Sequence, residues 1–557
     1  MKRFFKILSL SGFVGVLFLT CETTDLDLRV NPNTLSPEQA DVNALLNNIQ
    51  LEFIDMIDGT GSGFARVGAE LARIDYMFGR NYTNNYGPST FDGNWRRAYA
   101  EMMTDIRIML PLAEEGGLTT HIGIAKTLEA FTLVTLVDFF GDVPYSEALQ
   151  GSGNFNPNVD AGADVYAAAV GLLNEAIAAF NETPASGPQN DFYYGGNRTK
   201  WIKAANTIKL KIYLQSRLVD NSAIANFNSI ISSGNYIASS DDDFQFNGWG
   251  TNEVQPDTRH PRYSSSYTTT GGIDYMSNWL MNYMRVNNDP RIRYYYYRQV
   301  SATPGAEIAP NEESLQCSLQ DAPVHYVDTP FEDIFCFLPN GYWGRIHGNN
   351  EGIPPDGFLR TLTGVYPAGG AFDDNRFEGL GQGAGAGGIG ITPLILASTV
   401  DFYRAEVAML SSDFTTARNF VLSGLQKSVA KVSSFGALDT TADLSFAPST
   451  TVITNHANAI AAKFNAADPT GKWNVLAEEF FTNLYGNGID GYNFYRRTGY
   501  PTTVAPNIEP NPGAFIRSLF YPANFVNNNS NVQQKASVTQ QVFWDNNPPS
   551  PGFPIAN

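Results

Sequence analysis

The sequence predicts a mostly α-helical protein. Three observations carry that expectation. Long apolar stretches show three-to-four spacing, as in Ile122–Phe140, Asp164–Phe180 and Thr199–Val219. Such stretches recur about every 35–40 residues, which suggests stacked helical hairpins. A Gly-, Asn- and aromatic-rich stretch from 236 to 392 interrupts the pattern before helices resume.

The chain opens on Lys2, Arg3 and Lys6, followed by thirteen uncharged residues from Ile7 to Leu19. That is short of the ~20 residues a helix needs to span a bilayer. It has the form of a secretory signal over residues 1–20. Phe18-Leu19-Thr20-Cys21 resembles a bacterial lipobox, which would make Cys21 the acylated first residue of the mature chain. Glu22, Asp25 and Asp27 follow. They resemble the surface-export signal of Bacteroidetes lipoproteins, or else form a plain acidic tether. Residues 21–40 read as tether in both cases.

Residues 41–235 read as a helical scaffold. In Ile122–Phe140 the apolar positions Ile124, Leu128, Phe131, Leu133 and Val137 leave little polar face, so this helix is expected in the core. Gly141 stops it and Pro144 follows. Val165, Ala169, Leu172, Leu173, Ala176 and Ile177 mark the next helix, closed by Pro184. Trp201, Ala205, Ile208, Ile212 and Leu218 mark the third. Trp95 and Trp201 fall in helical pattern and are expected in the core. The 236–392 insertion is expected to carry ligand, because loops this long in a compact body are usually functional. Within it, Tyr294–Tyr297 alternates at strand period, so half of those rings are expected to face inward. Helices return over 393–486 at Pro393–Leu410, Phe414–Ala430 and Trp473–Leu484. From Asn487 to the end, residues 487–557 again read as loop.

Charge narrows the function. Charged residues are 16% of the 557, against the ~25% usual in soluble domains. Lys and Arg number 36 against 55 Asp and Glu, a net charge of −19. Nucleic acid is therefore not an expected partner, since it needs cationic surface. Few motifs support catalysis. Gly383–Gly388 fits GxGxxG but lacks the preceding strand that a dinucleotide site requires. There is no GxxxxGK[ST], HExxH or GxSxG. His121, His260, His325, His347 and His456 show no ligand spacing and are expected in loops or at the surface. Asp241–Asp243 lacks a calcium-loop pattern and reads as a solvated turn. No cofactor, metal site or catalytic residue is expected. Carboxylate pairs for glycoside hydrolysis stay open, because nothing selects a pair. Cys317 and Cys336 are the remaining thiols. An exported chain permits a bridge between them, which would restrict the unfolded chain by roughly 3 kcal/mol; two separate buried thiols are the other reading.

Several local sequences together resemble the SusD/RagB family of nutrient-binding outer-membrane lipoproteins. In chain order they are Asn94-Trp-Arg-Arg-Ala-Tyr99, Phe139-Phe-Gly-Asp-Val-Pro-Tyr-Ser-Glu-Ala148, Asn288-Asp-Pro-Arg291, Gly341-Tyr-Trp-Gly344 with Gly364-Val-Tyr-Pro-Ala-Gly-Gly370, Thr399–Glu406, and Tyr495-Arg-Arg-Thr-Gly-Tyr-Pro501 with Arg517 and Tyr521-Pro522 downstream. The resemblance is closest to the SusD-like branch. It implies a scaffold of four tetratricopeptide-like helical pairs with an irregular ligand-binding subdomain. It also implies a lipid-anchored, surface-exposed location in the outer membrane and a SusC-like TonB-dependent barrel as partner. The expected function is capture of oligosaccharides or peptides without chemistry; a surface-anchored glycoside hydrolase or peptidase is the alternative.

A sugar's C–H face stacks on aromatic rings and its hydroxyls need polar partners. Two segments concentrate both. One holds Arg73, Tyr76, Arg80, Tyr82, Asn84, Asn85 and Tyr86; the other holds Trp249, Asn252, Arg259, Arg262, Tyr263 and Tyr267. From these, Arg73, Tyr82, Tyr86, Trp249, Arg262 and Tyr263, with Trp279 and Trp343, are the expected ligand contacts. Arg496 and Arg497 are expected in structural ion pairs, and Asp142 and Tyr145 in capping and packing.

Overall fold

Helix α1 (Val42–Asp58) turns Leu46, Ile49, Phe53, Ile54 and Ile57 to one buried face. In the computed structural model, which describes residues 40–59, 61–302, 321–350 and 359–548, the compact body begins with this helix. The expected signal, the tether, Cys21 and Cys317 lie outside the described residues. Cys336 is buried and disulfide-bonded.

Helix α2 (Phe64–Leu71) follows, then an α–π–α run from Asp92 that ends in α3 (Thr104–Glu115). Helix α4 (Thr119–Phe140) is buried on nearly all sides. Its polar residues are hidden by local bonds: Thr127 and Thr135 donate to the carbonyls of Gly123 and Phe131 at 2.7 and 2.8 Å. Gly141, with φ of +80°, stops it as expected. Asp142 then accepts from the backbone N–H of Gly162 at 2.8 Å and starts α5 (Gly162–Asn181). Helix α5 packs along α4, α6 (Arg198–Ser216) along α5, and α7 (Ala223–Ser233) along α6. Trp201 is fully buried in α6, and Trp95 is nearly so.

The loop-rich stretch is closed at its neck by a small sheet. Strand β1 (Phe244–Phe246), near its start, pairs antiparallel with β4 (Thr392–Ile395), at its end. Inside it lie a short helix at Pro261–Ser266, α8 (Asn278–Val286), and a second pair, β2 (Tyr296–Tyr297) with β3 (Leu362–Thr363). All four of Tyr294–Tyr297 are buried, which corrects the alternating expectation. Tyr294 and Tyr295 lie in a helical turn, and protein covers both faces of the strand after it. The second scaffold is α9 (Ala397–Leu410) against α10 (Phe414–Ser433), with α11 (Thr450–Ala466) and α12 (Pro469–Asn483) on α10.

The stretch after Asn487, expected as loop, contains a helix, α13 (Ile489–Thr498), of which nearly every residue is buried. Its polar side chains hid it from hydrophobic patterning, and each has an interior partner. Asp490 meets Lys211 and Tyr403. Asn493 donates to Asp138 at 2.6 Å. Arg496 reaches the carbonyls of Asp138 and Arg517 at 2.8 and 2.6 Å, and Arg497 clasps Glu406. Four histidines, His121, His260, His347 and His456, are also interior rather than superficial. Each is placed by a hydrogen bond to a side chain or carbonyl.

Candidate functional site

The two segments expected to bind ligand meet in space. Arg262 of the second donates to Asp75 of the first at 2.6 Å. Beside that pair, Arg66 of α2 grips Asp274 at 2.8 and 3.1 Å and Glu70 at 2.9 Å. The cleft over these ion pairs has a volume of only about 20 Å³, room for one water, so this is a wall and not a pocket.

Six of the expected contacts are interior. Arg73 sits in left-handed backbone with φ of +63°, and its guanidinium donates to Leu71 O and the Tyr82 hydroxyl at 2.9 and 2.8 Å. Tyr82 continues to His347 at 3.2 Å, and Tyr86 donates to Glu70. Tyr263 stacks on Tyr267 at 4.5 Å and donates to Ala384 O. Trp279 donates to Thr503 O at 2.8 Å, and Trp343 is likewise buried. A ring covered on both faces has none left for a sugar, so in this conformation these residues pack and position.

Trp249 differs. It is half-buried and borders a recess of about 360 Å³ on the other flank of the Pro261–Ser266 helix. That volume suits one or two sugar units. Asn94, Arg97, Arg259, Asp55 and Asp257 line the same recess. The indole is fixed at its edge. Its Nε1–H donates to the Thr392 hydroxyl at 3.0 Å, which donates to Asp58 Oδ2 at 2.7 Å. Phe246 and His260 hold the ring from the side at 5.0 and 5.5 Å. The polar lining is oriented too. Arg97 meets Glu52 and Asp55 at 2.7 and 3.0 Å, and Arg259 forks onto Asp257 at 2.8 and 3.0 Å. Asn94 donates to the carbonyls of Met56 and Ser62.

Electrostatics follow from burial. Desolvation pushes the Asp58 carboxyl up to about 6, against the pull of Arg262 and the Thr392 bond. It pushes His260 down to about 3, so that imidazole is neutral. His260 Nδ1 therefore accepts from Arg262 N–H and caps the short helix, while Nε2–H donates to Ile391 O. The hydrogen bonds from Arg259 hold Asp257 below the usual carboxylate range. The lining thus presents fixed charges and donors around an aromatic wall. Asp289, His456 and Glu479 also converge, but the Arg291 guanidinium already fills that space, at 2.5 Å from Asp289 and 3.1 Å from Glu479.

Sequence reasoning missed Phe78. Its ring is 65% exposed, two residues after Tyr76, on a segment tied down by Tyr76 to Asn349 O and Arg80 to Asn350. A lone phenylalanine among Gly, Arg and Asn was the available signal. Tyr275 is half-buried: its ring meets Tyr76 at 5.9 Å, with the guanidiniums of Arg345 and Arg360 at 4.3 and 3.9 Å.

Residues 32–310 match the SusD-like family model, described as starch-binding and associating with the outer membrane. No curated protein sequence matches the chain. Several solved structures share the fold. A chitin-binding protein is 20% identical, with 91% of this chain and 100% of that one covered and a TM-score of 0.63. A SusD/RagB family protein from Bacteroides thetaiotaomicron is 16% identical over 91% and 99%, with a TM-score of 0.63. A chitin-binding SusD homolog from Flavobacterium johnsoniae is 17% identical over 91% and 99%, with a TM-score of 0.61. At these identities the likeness concerns the fold.

Proposed function

The chain belongs to the SusD-like family, which comprises binding proteins rather than enzymes, and we propose that it captures oligosaccharides at the cell surface and passes them to a SusC-like TonB-dependent barrel. The lipobox-like run ending in Cys21 supports anchoring in the outer membrane. The observation that carries the ligand class is the Trp249 recess. An indole locked by its edge offers its face to a sugar's C–H surface, and Asn94, Arg97, Arg259 and two carboxylates stand where hydroxyls need partners. Two structural relatives are named as chitin-binding, which makes N-acetylglucosamine oligomers the first ligands to try.

Affinity should be modest, because each hydrogen bond replaces one to water and nets only ~0.5–1.5 kcal/mol. Calorimetry against neutral oligosaccharides tests the reading. Trp249→Ala should cost about tenfold or more in affinity, and Trp249→Tyr should recover part of it, at unchanged fold by circular dichroism. Equal binding by Trp249→Ala and the wild type would remove the recess from the mechanism. Co-purification with the barrel tests the hand-over.

A further inference from the structure

A second and larger cleft, about 720 Å³, lies where the end of α8, the Asn288–Arg293 turn and the Phe446–Val452 stretch meet. It shares no lining residue with the Trp249 recess, so either site can fail alone.

Its chemistry is cationic and aromatic in a chain with a net charge of −19. Three guanidiniums line it, those of Arg285, Arg293 and Arg298. Arg298 is used structurally: it forks onto Asp373 at 2.6 and 3.2 Å between the rings of Tyr342 and Phe377, whose centroids are 4.9 and 5.0 Å away. Arg293 gives Nη1 to Asp373 O and Asn375, and its nearest carboxylate stands off at 3.8 Å. Arg285 donates to Asn282 at 2.8 Å, and its Nε is buried without a hydrogen-bond partner. Among the described residues no carboxylate lies within ion-pair distance of Arg285. All three cations bear on the phenol of Tyr342, which burial nonetheless pushes up to about 12.

Among the described residues the one acid in the lining, Asp289, is fully buried and neutralised by Arg291 below the floor. The walls supply apolar ring faces, with Phe446 40% exposed, and the amides of Asn288, Asn340 and Asn375. Those three residues and Phe377 all sit in left-handed backbone, with φ between +50° and +67°. For phenylalanine that is a strained choice, of the kind found at ligand clamps.

A ligand fitting this lining needs an anion for the Arg285 guanidinium, an apolar face for the rings and hydroxyls for the amides. We propose that the cleft is a second saccharide site, selective for a sugar bearing a carboxylate, a hexuronate unit. A short peptide ending in an apolar residue shares the anion and the apolar face. It lacks the hydroxyls that three rim asparagines would serve.

The test is calorimetry on the full chain with trigalacturonate and with a neutral trisaccharide, at low and at moderate salt. Trigalacturonate should bind, more weakly as salt rises. Arg285→Gln should reduce that affinity by about tenfold or more, since a charge-assisted hydrogen bond is lost. Phe446→Ala, at an exposed ring, should reduce it several-fold and provides a second variant should Arg285→Gln misfold. The proposal is overturned if no uronate oligomer binds or if both variants bind as the wild type does. It is also overturned if a peptide with a C-terminal phenylalanine displaces the uronate at lower concentration.

Discussion

Removing the charge of Glu406 tests how the two scaffolds are joined. Glu406 lies in α9 with no solvent exposure. Its carboxylate takes Arg497 of α13 side-on, Nε to Oε1 at 2.7 Å and Nη2 to Oε2 at 2.6 Å. It also takes Arg217, just past α6, at 3.0 and 3.2 Å. One carboxylate therefore neutralises two cations whose side chains are 3% and 6% exposed. Glu406→Gln keeps the shape and strands both charges. Breaking a buried pair from one side costs about 3–5 kcal/mol. The amide retains one acceptor, worth about 1 kcal/mol, which leaves a net loss of about 2–4 kcal/mol. Urea unfolding followed by far-ultraviolet circular dichroism at pH 7 measures it. Adding Arg497→Met should recover part of the loss, because one stranded cation goes. A loss under about 1 kcal/mol, or a double variant worse than the sum of its parts, would refute the reasoning. The pH dependence supplies a second check. Burial alone would raise Glu406, but Arg497 and Arg217 outweigh it and hold the carboxyl below its ordinary 4.5. Its contribution is thus fully present above pH 4.5 and is lost as pH falls through the lower folded value, where wild type and Glu406→Gln should converge.

Asp58 should show the opposite sign. Its folded value near 6 exceeds the ordinary 3.8, so the buried carboxylate costs nothing below pH 3.8 and its full penalty above pH 6. Asp58→Asn, which still accepts from Thr392, should stabilise the protein by roughly 1–3 kcal/mol at pH 8 and hardly at all at pH 4; equal effects at both pH values would exclude this account. Gly68 probes backbone contact between α2 and the start of α13. A Cβ there would lie 2.6 Å from Gly488 O and 2.9 Å from Ile489 N. Ala gains about 1 kcal/mol of helix propensity, but overpacking against backbone costs about 1–3 kcal/mol. Gly68→Ala should therefore be neutral to destabilising in thermal melts, and a raised melting temperature would contradict the contact.

How much was legible depended on what carried the signal. Helices with apolar faces, such as α4, α5, α6, α9 and α10, follow from spacing alone. Helix α13 does not, since Asp490 and Asn493 look solvent-facing until their partners 85 or more residues away arrive. The two segments expected to bind ligand do meet in space, through Arg262 and Asp75. Which side chains stay open was not readable. Burial of Tyr82, Tyr86, Tyr263, Trp279 and Trp343 is set by distant chain, and an aromatic residue in polar sequence looks the same whether it faces solvent or a buried hydroxyl network.

The motifs that carried the family resemblance explain that asymmetry. Asn94 of the first ties the carbonyls of Met56 and Ser62. Asp142 of the second starts α5. Asp289 and Arg291 of the third form a buried pair with Glu479 beneath the large cleft. Glu406 of the fifth and Arg497 of the last close on each other, and Arg517 clasps Asp545. These are polar joints in the interior, where a missing partner leaves an uncompensated group at a cost of several kcal/mol. Each joint therefore restricts its residue type strongly and leaves a readable pattern. The residues that border open recesses, Trp249, Arg285 and Phe446, stand outside those joints, or at their rim. On the proposed reading, their replacement should change what is bound and leave the scaffold standing. A sequence can therefore announce this fold plainly while saying little about its ligand, and the ligand must be read from which rings and cations the joints leave uncovered.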